Sequence, residues 1–201
     1  RTMNTFLGTS VHFAPADIDA SLIESASIVY LEGYLFDRDE AKEAFKAAAR
    51  LAQKSGAKVA LTLSDAFCVD RHRADFLRFI REGTDILFAN EKEITSLYEV
   101  NSFAEAADAA LADCELAVLT RSEEGSVIVA DGETIAVAPE PVREVVDVTG
   151  AGDLYASGFL YGLTQGAPLA TCGRLGSLAA AEVIGHIGAR PESSLRKLAQ
   201  E

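Results

Sequence analysis

Short apolar runs rich in β-branched residues alternate with segments of helical period along most of this chain, and few architectures accept that alternation. S-I-V-Y-L-E-G (27–33) reads as a buried strand; 38–55 follows with Ala41, Ala44, Phe45, Ala48 and Leu51 at helical spacing. K-V-A-L-T-L-S (58–64) reads as a second strand, and 72–82 as a helix with Phe76, Leu77 and Ile80 on one face. D-I-L-F-A-N (85–90) is a third strand, with helices over 91–99 and 102–112, and E-L-A-V-L-T-R (115–121) is a fourth. S-V-I-V-A-D (126–131) and E-T-I-A-V-A (133–138) read as a hairpin turning at Asp131-Gly132. Past Pro139 and Pro141 the chain reads as helical over 151–165, 168–186 and 192–200. The expectation is a mostly parallel sheet covered on both faces, in one α/β domain over 1–201 with no repeat, low-complexity tract or linker.

Charge and cysteines narrow the function classes. A net charge of −13 argues against a nucleic-acid partner and against an anionic membrane surface, since both need clustered Lys and Arg. No apolar run approaches a membrane span, and no signal peptide is recognised. Cys68, Cys114 and Cys172 lie far apart with no C-x-x-C spacing, which suits a reducing, cytoplasmic setting and gives neither disulfide framework nor zinc site. His12, His72 and His186 are as scattered, and read as surface or packing residues. The first residue is Arg and opens directly into a patterned segment, so the sequence is expected to be a fragment lacking its N-terminal part.

The chemistry-bearing stretch is V-V-D-V-T-G-A-G-D-L-Y-A-S-G-F (145–159). Ala156, Phe159, Leu160 and Leu163 make an i, i+3, i+4, i+7 stripe, so a helix begins near Ala151. Its first turn has free N–H groups and the positive end of the dipole, and Gly150 and Gly152 carry no side chain to block a ligand. That is an anion hole suited to a transferring phosphoryl group. Asp153 beside it would be repulsive unless it had a task, such as accepting a proton from an attacking hydroxyl. On these residues alone, a Gly-rich helix start with an acid favoured by the dipole fits as well.

Two further stretches leave strands at the carboxyl edge, where open α/β sheets bind ligands. In A-N-E-K-E (89–93), Asn90 and Glu93 have the spacing of a capping box. They equally suit a site in which Glu93 orients magnesium-bound water. T-R-S-E-E-G-S (120–126) is either a turn at Gly125 or a loop whose backbone lines a nucleotide.

Taken together, D-V-T-G-A-G-D-L-Y-A-S-G-F, N-E-K-E and L-T-R-S-E-E-G-S resemble the signatures of the ribokinase-like (phosphofructokinase-B) family of carbohydrate and nucleoside kinases. Within it, V-A-L-T-L-S-D-A-F, D-I-L-F-A-N-E-K-E and the opening R-T-M-N-T-F-L-G are most similar to adenosine kinase. The resemblance implies a three-layer α/β/α fold whose first strands and β lid, the part holding the acceptor, are missing. It implies Asp153 as catalytic base, with the backbone of Gly150, Ala151 and Gly152 stabilising the phosphoryl group. ATP would lie against Asn90, Thr120, Arg121, Ser122, Gly125, Gly152 and Ser177, with Arg1 on phosphate. Glu93 would serve Mg2+, and Asp147 with the Thr149 carbonyl a monovalent cation such as K+. Ser122 departs from the family's usual Gly. The implied partners are a small nucleoside or sugar and a second copy in a homodimer. Adenosine is the favoured acceptor; a free sugar (ribose, fructose or 2-keto-3-deoxygluconate) or a non-catalytic nucleotide-binding role are the alternatives. A segment without the lid is expected to be a poor catalyst and to expose an aggregation-prone edge or apolar face.

Overall fold

The computed structural model describes residues 6–200. Its six strands form one sheet in the chain order β1 to β6, at Ile28–Glu32, Lys58–Thr62, Ile86–Asn90, Leu116–Thr120, Ser126–Ala130 and Glu133–Val137. The chain packs as two compact units, 1–116 and 117–201.

In the first unit β1, β2 and β3 are parallel, with Val29 opposite Val59 and Leu61 opposite Leu87. Val59, Ala60, Leu61, Ile86, Leu87 and Phe88 are all buried, so the inner strands are covered on both faces and carry an unbroken apolar run. β1 differs: Val29 and Leu31 are buried while Tyr30 is 36% exposed, its ring edge-on to Phe88 at 6.0 Å. Helix α1 (Ala20–Ser25), capped by Asp19, was not legible from period. Helix α2 (Asp39–Ser55) buries Ala41, Ala44, Phe45, Ala48, Ala49 and Ala52, close to the expected stripe, and stops at Gly56 in a left-handed cap.

The expected helix over 72–82 is longer than its pattern. It runs Ala66–Gly83 as α3, started by the Asp65 side chain accepting from Phe67 N at 2.7 Å. His72 has non-helical dihedrals (φ −124°, ψ 20°), so the first turns are rotated relative to the rest and one apolar stripe cannot describe both. Phe36 stacks on Phe76 at 4.1 Å and meets Phe45 and Phe79 edge-on, which ties α2 to α3. Helices α4 (Glu91–Tyr98) and α5 (Phe103–Asp113) complete the unit.

In the second unit β5 and β6 are antiparallel, joined by Asp131 and Gly132, both at positive φ as a two-residue hairpin requires. Helices α6 (Ala151–Thr164) and α7 (Leu169–Ile184) approach closely because small residues face one another. A methyl at Gly158 would stand 2.4 Å from Leu175 O, and one at Gly176 2.8 Å from Tyr155 O. The short α8 (Leu195–Leu198) ends the described chain. Among the described residues no helix is long and apolar enough to cross a membrane.

Candidate active site

The stretch before α6 is built around a buried carboxylate. Asp147 is 8% exposed. Its Oδ1 accepts from Thr149 N (3.0 Å) and Thr149 Oγ1 (2.7 Å), and its Oδ2 from Gly188 N (3.2 Å). Those bonds fold residues 147–149 into a local turn. Gly150 then takes a left-handed conformation (φ 82°, ψ 0°) as N-cap, which offers no side chain to the helix. Ala151 N is used within the turn, donating to Val148 O at 3.2 Å, and Leu154 is the first amide to bond along the helix, to Gly150 O at 2.9 Å. The amides of Gly152 and Asp153 therefore have no backbone acceptor among the described residues. Among the described residues, a methyl built on Gly152 would meet nothing within 4 Å, so no neighbouring segment crowds the helix start on that side.

Asp153 is exposed, yet the protein beside it desolvates the carboxyl enough to raise its pKa. The opposite face of α6 is fixed: Tyr155, Ala156 and Phe159 are buried, and Tyr155 Oη hydrogen-bonds Ser126 Oγ at 2.6 Å. Leu160 and Leu163 of the expected stripe are half-buried, with Tyr155 taking the central place. Ser177 is buried in α7, at 6% exposure.

The loop after β4 is a tight turn. Arg121 N donates to Gly125 O at 2.8 Å and Gly125 N to Ser122 O at 3.1 Å, while Arg121 pairs with Glu124 at 2.7 Å. Gly125 sits at φ 80°, ψ −127°, and a methyl there would stand 2.1 Å from Val137 O, so only glycine fits. Ser122, where the family pattern has glycine, holds φ 51°. That φ lies in the left-handed region that favours glycine.

In the first unit Asn90 and Glu93 do form the capping box. Asn90 Oδ1 accepts from Glu93 N at 2.9 Å, and the Glu93 carboxylate accepts from Asn90 N at 2.9 Å and from the Asn90 side-chain amide. Glu93 is 5% exposed. Burial pushes its pKa up to about 7, the Asn90 N–H opposes, and the charges of Asp65 and Glu32 add to the rise. Glu32 ends β1 and accepts from Ser64 Oγ, and Asp65 starts α3 after β2, so three acids gather at the carboxyl ends of consecutive strands. The same acids, after burial itself, raise the pKa of Tyr34. Glu32, Ser64 and Asp65 were missed from sequence; polar residues directly after apolar strands were the signal. Among the described residues no group of three or more His, Cys, Asp or Glu could hold a metal ion. Arg1 lies outside the described residues.

Inner strands buried on both faces, parallel pairing in the first unit, and a glycine-capped helix bearing an acid define a ribokinase-like three-layer α/β protein. The chain belongs to the pfkB family of carbohydrate kinases, whose profile matches residues 1–196. It is 50% identical to the solved structure of a probable sugar kinase protein from Rhizobium etli, with a TM-score of 0.93, covering 94% of this chain and 58% of that one. The adenosine kinase from Sinorhizobium meliloti is 47% identical, with a TM-score of 0.93 and the same 94% and 58% coverage. The cytidine kinase of Thermococcus kodakarensis is 39% identical over 115 residues, which is 56% of this chain and 41% of that protein. The chain thus spans well under two thirds of the length of each.

Proposed function

We propose that this chain is the nucleotide- and phosphoryl-handling part of an ATP- and Mg2+-dependent kinase. It acts as one functional domain and, within the whole protein, serves to phosphorylate a hydroxymethyl group of a nucleoside or sugar. The observation that carries this reading is the start of α6: an exposed Asp153 beside amides with no backbone acceptor, reached across the open side of Gly152. Amide donors at a helix N-terminus fit an anion, and the missing side chain at Gly152 leaves room for it.

ATP supplies the phosphoryl group. Asp153 takes the proton of the acceptor hydroxyl as its oxygen bonds to phosphorus and the bond to ADP breaks. A pKa raised above the ordinary carboxylate value makes it a stronger base than a fully solvated aspartate. Gly150 and Ala151 shape the turn, and the amides of Gly152 and Asp153 hold the charge that develops on the phosphoryl oxygens. By resemblance, Asn90, Thr120, Arg121, Ser122, Gly125 and Ser177 would serve the nucleotide, and Arg1 a phosphate. Glu93 would hold magnesium-bound water; its pKa of about 7 leaves it partly protonated at neutral pH, and a nearby cation would favour the ionised form. A monovalent cation would sit at Asp147 and the Thr149 carbonyl. Asp147 accepts from Thr149 N, Thr149 Oγ1 and Gly188 N there, all neutral donors, so a cation would add charge compensation that these bonds do not supply.

Adenosine is the favoured acceptor, supported by the opening and strand motifs and by the 47% identity to an adenosine kinase. A free sugar is the second reading, supported by the 50% identity to a probable sugar kinase protein. The retained Asp153 argues against a non-catalytic relative. The test is ADP release by the full-length protein with adenosine, cytidine, ribose, fructose and 2-keto-3-deoxygluconate. Turnover confined to nucleosides is the expected result; no ATP turnover with any acceptor sinks the proposal.

A further inference from the structure

The turn that carries the proposed anion hole is not held by its own motif alone. Val146 N and Asp147 N both bond Ile184 O, at 2.8 and 3.3 Å. Gly188 N donates to Asp147 Oδ2 at 3.2 Å. Ala189 backs Gly150 so closely that a methyl on Gly150 would stand 2.8 Å from Ala189 Cβ. The rear wall of residues 146–150 is therefore the end of α7 together with the loop that follows it, some 40 residues downstream in the sequence.

That loop has one anchor of unusual cost. Glu182 is the only acid in α7, and it lies in the last turn, where the helix dipole disfavours negative charge. Its side chain is only 8% exposed. A carboxylate so placed is unfavourable unless donors compensate it. Here they come from both ends of the loop: Oε1 accepts from Glu192 N (2.9 Å) and Ser193 N (2.7 Å) at its far end, and Oε2 lies 3.5 Å from His186 Nε2 at its near end. The chain between these points, Gly185 to Pro191, contains two of the three residues that touch the turn, Gly188 and Ala189; the third, Ile184, ends α7.

We infer that Glu182 is a positioning residue for the helix start that bears Asp153, acting through the loop 186–193. The carboxylate closes the loop on α7; the closed loop presents Gly188 N–H to Asp147 and Ala189 to Gly150; those contacts hold Gly150 left-handed and the next two amides in place. The consequence for catalysis rests on the kinase reading above, while the structural coupling does not.

The experiment compares full-length wild type with Glu182→Ala, Glu182→Gln and Ala189→Gly, by amide hydrogen exchange and by steady-state kinetics. Glutamine keeps Oε1 for the two amides, so it should restore what alanine loses. Ala189→Gly removes only the backing methyl of an exposed residue, and keeps the test open if Glu182→Ala does not fold. Expected are faster exchange across 147–152 in Glu182→Ala and Ala189→Gly, with the β5–β6 hairpin unchanged and Glu182→Gln near wild type. In kinetics, kcat should fall roughly 10- to 100-fold in Glu182→Ala with acceptor KM unchanged, the scale expected for a displaced catalytic constellation. Exchange at 147–152 equal to wild type in both Glu182→Ala and Ala189→Gly overturns the inference, as does acceleration spread evenly over the unit. Absence of turnover in wild type overturns the kinase reading instead, and the exchange result still decides the coupling.

Discussion

Helices α4 and α6 both carry an acid at their third residue, Glu93 and Asp153, and the two acids are used in opposite ways. At α4 the N-cap is Asn90, whose side chain takes one helix amide while Glu93 folds back on the Asn90 backbone. The carboxylate is buried and its donors are spent inside the helix start. At α6 the N-cap is Gly150, with no side chain to offer; the acid is exposed and the amides beside it have no backbone acceptor among the described residues. At α4 Asn90 and Glu93 bond each other across the first turn, whereas the glycine cap of α6 leaves amide donors and an acid facing open space. Burial raises the pKa of both, so a raised pKa does not tell them apart; hydrogen-bond partners do.

The comparison breaks most readily at the glycines. Gly150→Ala adds left-handed strain and a contact with Ala189, and should cost about 2–4 kcal/mol in denaturant unfolding. Gly152→Ala meets no protein atom, and should change stability by less than about 1 kcal/mol while raising the KM for ATP. Equal destabilisation by both would mean that the space over Gly152 is not open.

The buried acid gives the next largest effect. A carboxyl raised from 4.5 to about 7 on folding adds stability below its unfolded pKa, and that stability is lost as pH rises through about 7. Magnesium-free unfolding curves should therefore show up to about 3 kcal/mol lost across that window in wild type beyond the loss in Glu93→Gln. Parallel pH profiles for the two would show that Glu93 is not desolvated.

Outside both helix starts, Ser122→Gly trades relief of the 51° φ against a more flexible unfolded chain. It should leave stability within about 0.5 kcal/mol of wild type. A loss of several kcal/mol would give the Ser122 side chain a structural task that the turn does not show.

The strands were legible because each is a short apolar run, and the hairpin because Asp131-Gly132 takes positive φ without strain. G-A-G-D was legible as a helix start capped by glycine and bearing an acid, because the apolar stripe that follows it sets the helix in place. The kink at His72 was not, since a period analysis assumes one continuous axis. Glu32 and Asp65 escaped notice because a single acid after a strand resembles any polar boundary. Glu182 was invisible for a deeper reason: its partners are amides 10 and 11 residues onward, and backbone donors leave no trace in side-chain patterns.

On the proposed function, the open helix start does the chemistry and the closed one does not. Asp153→Asn and Glu93→Gln in the full-length protein, assayed side by side for phosphoryl transfer at saturating ATP and Mg2+, test it most directly. The account predicts that Asp153→Asn folds as wild type, still binds ATP and loses roughly 10²–10⁴-fold in kcat, whereas Glu93→Gln changes the magnesium dependence and keeps most of kcat. Turnover by Asp153→Asn within a few-fold of wild type would contradict it.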